Sequence, residues 1–179
     1  MIITGIGSRN VPDEIVEFIW DLPLGDHIVR SGGAQGCDEA FEQTTSNLEI
    51  FVPWNSFRDK KKSLLERVVS LDDMPTSTRE IAFDIACSVH SKLKILSRGA
   101  QLLHTRNVFQ ILGRNLSETE KSDLVICWTP DGANTLASCT RHTGGTATAI
   151  KLAAIFDIPV LNLYNDKDME IVLDLFNLW

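Results

Sequence analysis

The sequence predicts an α/β protein built on a mostly parallel sheet, and three observations carry that expectation. Short apolar runs at residues 1–4, 27–30, 48–52 and 124–128 read as strands, and the last is continuous enough for the centre of a parallel sheet. Glycine-bearing loops follow two of these runs and open helical repeats, in "GIGSRN" and "SGGAQGCDEAFE", and a third such loop, "HTGGTATA", opens the helix ahead of the last strand. The 179 residues suffice for one domain with a well-buried core, and no Pro/Gly/Ser-rich linker divides them.

The first run breaks at Gly5 and Gly7 into Ser8 and Arg9. Pro12 and Asp13 then start an amphipathic helix to about Leu22, with Ile15, Phe18 and Ile19 on one face. Asn10 stands where a dinucleotide fingerprint needs its third glycine, so an ordinary NAD-type site is disfavoured. Ser8 and Arg9 are a candidate phosphate contact, a hydroxyl donor beside a bidentate guanidinium; the alternative is a plain surface turn. The second strand leads into Gly32, Gly33, Ala34 and Gly36, where the backbone can approach a ligand closely. Asp38 follows, either to cap a helix carrying Ala40 and Phe41 or to accept from ribose hydroxyls. The third strand ends at Pro53 and Trp54, an indole able to stack on a base or to serve as a hydrophobic contact.

Residues 57–104 interrupt the alternation and read as a helical insertion, with Ile81, Ile85 and Val89 four residues apart. Lys60 to Lys62 read as a solvated helix face, and His90 and His104, without an obvious partner, as structural or surface histidines. Thr105, Arg106 and Asn107 lead a helix that turns at Gly113. After the strand at 124–128, a polar connection of some fifteen residues has the length of a lid or binding loop. It delivers the chain to Gly144 and Gly145, which open a helix carrying Ala149, Leu152, Ala153 and Phe156 on one side. A strand at 159–163 and a helix at 169–178 close the chain. A glycine turn opening a helix aims free N–H groups and the positive end of the helix dipole at what lies before it, which is a seat for phosphate.

Seventeen basic against 24 acidic residues give a formal charge of -7, which disfavours broad attraction to nucleic acid or anionic membrane and confines any anion site to a local patch. The cysteines at 37, 87, 127 and 139 have no CxxC spacing and no secretory leader is evident, so reduced thiols in a cytoplasmic protein are expected. Cys139 and His142 lack the further ligands a metal needs, no required cofactor is read, and no apolar run is long enough to span a bilayer.

The loop "GSRN", the turn "SGGAQGCDEAFE", the strand end "FVPW", the "TRN" helix start, the strand "DLVICW" and "GGTATAIKLAAIFDIPVLNL" occur in an order that resembles the SLOG superfamily. That group is named for the DNA-processing protein DprA (Smf) and the LOG cytokinin-activating enzymes, and this chain looks most like the short DprA-like proteins common in phages and prophages. The resemblance implies a Rossmann-like, doubly wound sheet holding a nucleotide or nucleotide derivative at the strand C-terminal ends. By position it implies contacts from Gly7, Ser8 and Arg9, from Gly32 to Asp38, from Arg106 and Asn107, and from Gly144, Gly145, Thr146 and Thr148. Backbone N–H groups at 32–36 and 144–148 would hold phosphates. LOG phosphoribohydrolases carry a glutamate in PGGxGTxxE where this chain has Lys151. An ammonium cannot act as that carboxylate does, so cleavage is not expected unless Asp38, Glu39 or Glu42 substitutes. The resemblance also implies a homo-oligomer and, as an alternative partner, single-stranded DNA, for which Arg9, Arg106, Arg114 and Arg141 would form the patch.

Overall fold

The computed structural model describes residues 1–59 and 67–178. Its core is a six-stranded parallel sheet of β1 (Ile2–Gly7), β2 (Ile28–Ser31), β3 (Leu48–Val52), β4 (Val68–Ser70), β5 (Leu124–Trp128) and β6 (Val160–Asn162), in the spatial order β4-β3-β2-β1-β5-β6. The chain winds outward from β1 to β4, then crosses back to lay β5 beside β1. That reversal leaves a crevice at the C-terminal ends of β1 and β5, where open α/β sheets take ligands.

Helices cover both faces. α1 (Asp13–Trp20), α2 (Cys37–Glu42) and α6 (Asp166–Leu175) lie on one side; α3 (Thr76–Val89), α4 (Arg98–Leu112) and α5 (Thr146–Ile155) lie on the other. Strand pleating decides which residues meet them. Ile3 packs with Ile15, Ile19 and Phe41 on the α1–α2 side, while Ile6 packs with Val108 and Phe109 on the α4 side. Phe51 and Phe109, both fully buried, stack with ring centroids 6.0 Å apart and tie β3 to α4.

Residues 57–104 are not wholly helical. A 3₁₀ turn spans Phe57–Asp59, and Val68–Ser70 forms the edge strand β4, paired in register with residues 50–52. A three-residue strand is too short to imprint a period on the sequence, and the β-branched pair Val68–Val69 prefers the pleated surface of β3. The Lys60 to Lys62 run lies outside the described residues. The second departure concerns "TRN". α4 begins at Arg98, where the Ser97 hydroxyl accepts from the Ala100 N–H at 3.4 Å, and so Thr105, Arg106 and Asn107 stand buried in mid-helix. Gly113, with φ of +74°, ends α4 as expected. Among the described residues no helix is long and apolar enough to cross a membrane.

Candidate functional site

A cavity of about 380 Å³ opens at the reversal between β1 and β5. Its floor is the β1–α1 turn with Ala34 and Asp38, its long wall is α4, and its rim is the segment 142–146 entering α5.

The floor is set by close packing. β1 turns Gly7 toward α2, and a Cβ there would stand 2.5 Å from the Trp128 carbonyl oxygen and 2.6 Å from Cys37 Sγ. Ser8 donates its N–H to that same carbonyl at 2.9 Å and accepts from the Asn10 N–H on its hydroxyl at 3.2 Å, leaving Arg9 exposed at the cavity mouth.

The second glycine loop departs from expectation. The Gly32 and Gly7 N–H groups donate to the two oxygens of Asp38, at 3.1 and 3.2 Å, and the Gly33 N–H donates to Ser31 Oγ at 3.2 Å. These donors turn inward, those of Gly7 and Gly32 to hold a carboxylate of the protein's own. Gly36 precedes α2 with its backbone against the Arg9 carbonyl. Of the expected contacts in this loop, Ala34 and Asp38 line the cavity, whereas Gly32, Gly33 and Gly36 build the loop beneath it.

Asp38 in turn anchors Arg106 on α4, Nη1 to Oδ2 at 3.4 Å, and the same Nη1 donates to Gln110 Oε1 at 2.6 Å. Gly32 makes this possible, since a Cβ at that position would overlap Arg106 Nη1 at 1.2 Å. Burial pushes the Asp38 carboxyl up, opposed by the guanidinium and by backbone donors; the Arg106 charge is likewise disfavoured by burial and restored by Asp38. A guanidinium keeps its proton in proteins, and two N–H donors favour the carboxylate, so the pair is ionised. Arg106 Nε and Gln110 Nε2 are buried with no hydrogen-bond partner among the described residues.

α5 starts on a bare end. Gly144 turns at φ +62°, Gly145 precedes the first helical residue, and no side chain caps the helix. Thr146 lines the cavity, and Asn107 Nδ2 donates to the Gly145 carbonyl at 2.9 Å, fixing the turn against α4. The connection ahead of it is pinned. Thr140 and Thr143 donate their hydroxyls to Asp131 Oδ2 at 2.5 and 2.6 Å, and Asn162 Nδ2 donates to Thr129 Oγ1 and the Ala133 carbonyl, both at 2.7 Å. Burial would raise the Asp131 carboxyl, but the threonine hydroxyls outweigh it and hold it at about 2.

Two histidines form a feature that the sequence reading missed. The α4 residues Ala100, Leu103, His104 and Asn107 line the cavity at i, i+3, i+4 and i+7, a stripe legible only once Ser97 is taken as the helix cap. His104 Nδ1 is 2.7 Å from Thr148 Oγ1, which is why Thr148 itself is buried beside the cavity without lining it. The His90 ring lies 4.5 Å from that of His104, centroid to centroid. Burial first, then the neighbouring His90 and Arg106, depresses His104 to about 4, so its imidazole is neutral at pH 7.

Three other sets of residues lie apart from the cavity lining. Trp54 is not brought to the cavity; its ring packs edge-on against Phe57, centroids 5.1 Å apart, at the β3 end of the sheet. Arg114 follows the C-terminus of α4, at the opposite end of the sheet from the cavity, and lies 4.0 Å from Glu49, so it does not join a patch with Arg9 and Arg106. Glu39 and Glu42 face Arg58, at 3.8 Å, and Ser31 Oγ, at 2.6 Å, and neither lines the cavity. Lys151 is also absent from its lining, and no cluster of three or more metal-ligating side chains forms among the described residues.

No family model matches the chain, and no curated protein matches it. Among solved structures it is similar to DNA processing protein A from Helicobacter pylori, studied for its single-stranded DNA binding mode. The two share 16% identity and a TM-score of 0.49, with 98% of this chain and 72% of that chain covered.

Proposed function

We propose that this protein binds a phosphate-bearing nucleotide or nucleotide derivative, such as ADP-ribose, a cyclic or NAD-derived nucleotide, or a mononucleotide, and acts as a sensor or sequestering protein. One observation carries the reading: the uncapped N-terminus of α5 and the side chains of Arg9 and Arg106 border one cavity at the sheet's reversal. Helix N-termini favour anions, and a charge-assisted hydrogen bond is worth about 1.5–3 kcal/mol, so this arrangement suits a phosphate. The motif order shared with the SLOG group supports the same reading.

Holding is favoured over cutting. Both Asp38 oxygens already accept N–H donors and one faces Arg106, so this carboxylate is occupied as a counter-ion rather than poised as a base or nucleophile.

A thermal-shift panel of AMP, ADP-ribose, cyclic nucleotides, NAD and a single-stranded oligonucleotide tests the proposal. At least one nucleotide is expected to raise the melting temperature, and unchanged ligand is expected after long incubation. Stabilisation by the oligonucleotide alone would sink the reading in favour of a DNA-binding role, and release of base or phosphate would turn it into a hydrolase. The homo-oligomer implied by the family resemblance is a separate proposal, answered by sedimentation equilibrium.

A further inference from the structure

Resting on the nucleotide reading, we propose that His104 is the specificity-determining residue of the cavity. Its Nε2 contacts the uncharged nucleoside part of the ligand and so selects a nucleoside phosphate over free phosphate.

The ring is fixed from two sides. Thr148 Oγ1 holds Nδ1 at 2.7 Å, and the His90 ring stands 4.5 Å away, so rotation about the side chain is confined and Nε2 is the nitrogen left for a ligand. Such double support for an imidazole at a cavity wall is the arrangement that gives a precise polar contact. The neutral ring adds no charge to the anion seat, and Nε2 presents one donor or one acceptor according to the tautomer. A hydroxyl or a base edge can meet Nε2 in either tautomer, whereas an ionised phosphate oxygen only accepts and so meets the Nε2–H form alone.

Position along α4 separates the two parts of a ligand. Asn107 holds the Gly145 turn at the phosphate seat, and His104 lies three residues earlier on the same face, a rise of about 4.5 Å along the axis. Ala100 and Leu103 flank it there and make the adjoining wall apolar, which suits a sugar or base face rather than a second phosphate.

Titration calorimetry with AMP, ribose 5-phosphate and inorganic phosphate on the wild type, His104→Ala, His104→Asn and Thr148→Val decides the matter. His104→Ala is expected to weaken AMP about 3- to 10-fold, the range of one neutral hydrogen bond, with inorganic phosphate changed less than about 2-fold. Thr148→Val is expected to weaken AMP by a smaller factor in the same selective way. On the wild type, the imidazole ¹⁵N resonance of His104 Nε2 is expected to move with AMP and not with inorganic phosphate, a readout independent of how the variants fold. Equal losses for AMP and phosphate, or no loss, would overturn the inference and leave the anion seat standing, as would a wild type that takes phosphate but not AMP. A wild type that binds none of the probes would overturn the nucleotide reading itself.

Discussion

Arg106 belongs both to the fold and to the candidate site. Its guanidinium neutralises Asp38 in the interior, and the same side chain lines the cavity. Removing one partner of a buried ion pair leaves a stranded charge, and Arg106→Ala is expected to cost about 3–5 kcal/mol in urea denaturation. Gly32→Ala should give a similar loss by steric means, because its methyl would occupy the guanidinium's place. His104 supplies a pH signature. Its folded value of about 4 lies below the ordinary histidine value of 6.5, so the unfolded chain takes up the proton first as pH falls. Stability is therefore expected to decline from pH 6.5 toward 4 and then to level off in this contribution. Melting curves of His104→Asn across that window should be flatter than those of the wild type; parallel curves would contradict the assignment. Of these residues, Arg9, Asp38 and Arg106 are legible from sequence as polar groups near glycine loops. Their pairing is not, since 68 positions separate Asp38 from Arg106 and only the crossing of α4 over β1 joins them.

At the scale of elements, β3 and β5 are read to the residue because apolar runs bounded by turns leave little choice of ends. β4 escapes because it is short and at the edge, and the start of α4 escapes because Ser97 is one serine among many until its capping bond is seen. The mid-helix position of "TRN" matters for function, since it places Asn107 against the α5 turn instead of at a helix end. The connection 129–143 is long enough in sequence for a lid, yet it is buttoned down by Asp131. With the Asp131 carboxyl at about 2 in the fold and near 3.9 when unfolded, its contribution is complete above pH 4 and is lost as pH falls toward 2. Asp131→Ala is expected to speed amide hydrogen exchange across 132–143 at neutral pH with little change in the strands. Unaltered exchange there would show that the loop holds without it.

For the molecule as a whole, the doubly wound order of strands converts scattered loops into one cavity. Of the loops singled out in the sequence, the first and the Gly144–Gly145 turn reach its lining, while the second works mainly from beneath as the holder of Asp38. A chain of formal charge -7 thus brings Arg9 and a helix N-terminus to one cavity, where Arg106 is already paired with Asp38. The framework that fixes this geometry is apolar. Phe109→Ala, by opening a hole beneath α4, is expected to cost about 3–5 kcal/mol and to weaken ligand binding through the displaced helix. Whether phosphate takes the proposed seat on the α5 turn is read most directly by a backbone amide titration, followed by ¹⁵N-resolved NMR, with AMP and ADP-ribose. Saturable shifts are expected, led by Gly144, Gly145 and Thr146 and reduced in Arg9→Ala. Amides of that turn that stay still with every nucleotide, or that move only with single-stranded DNA, would contradict it.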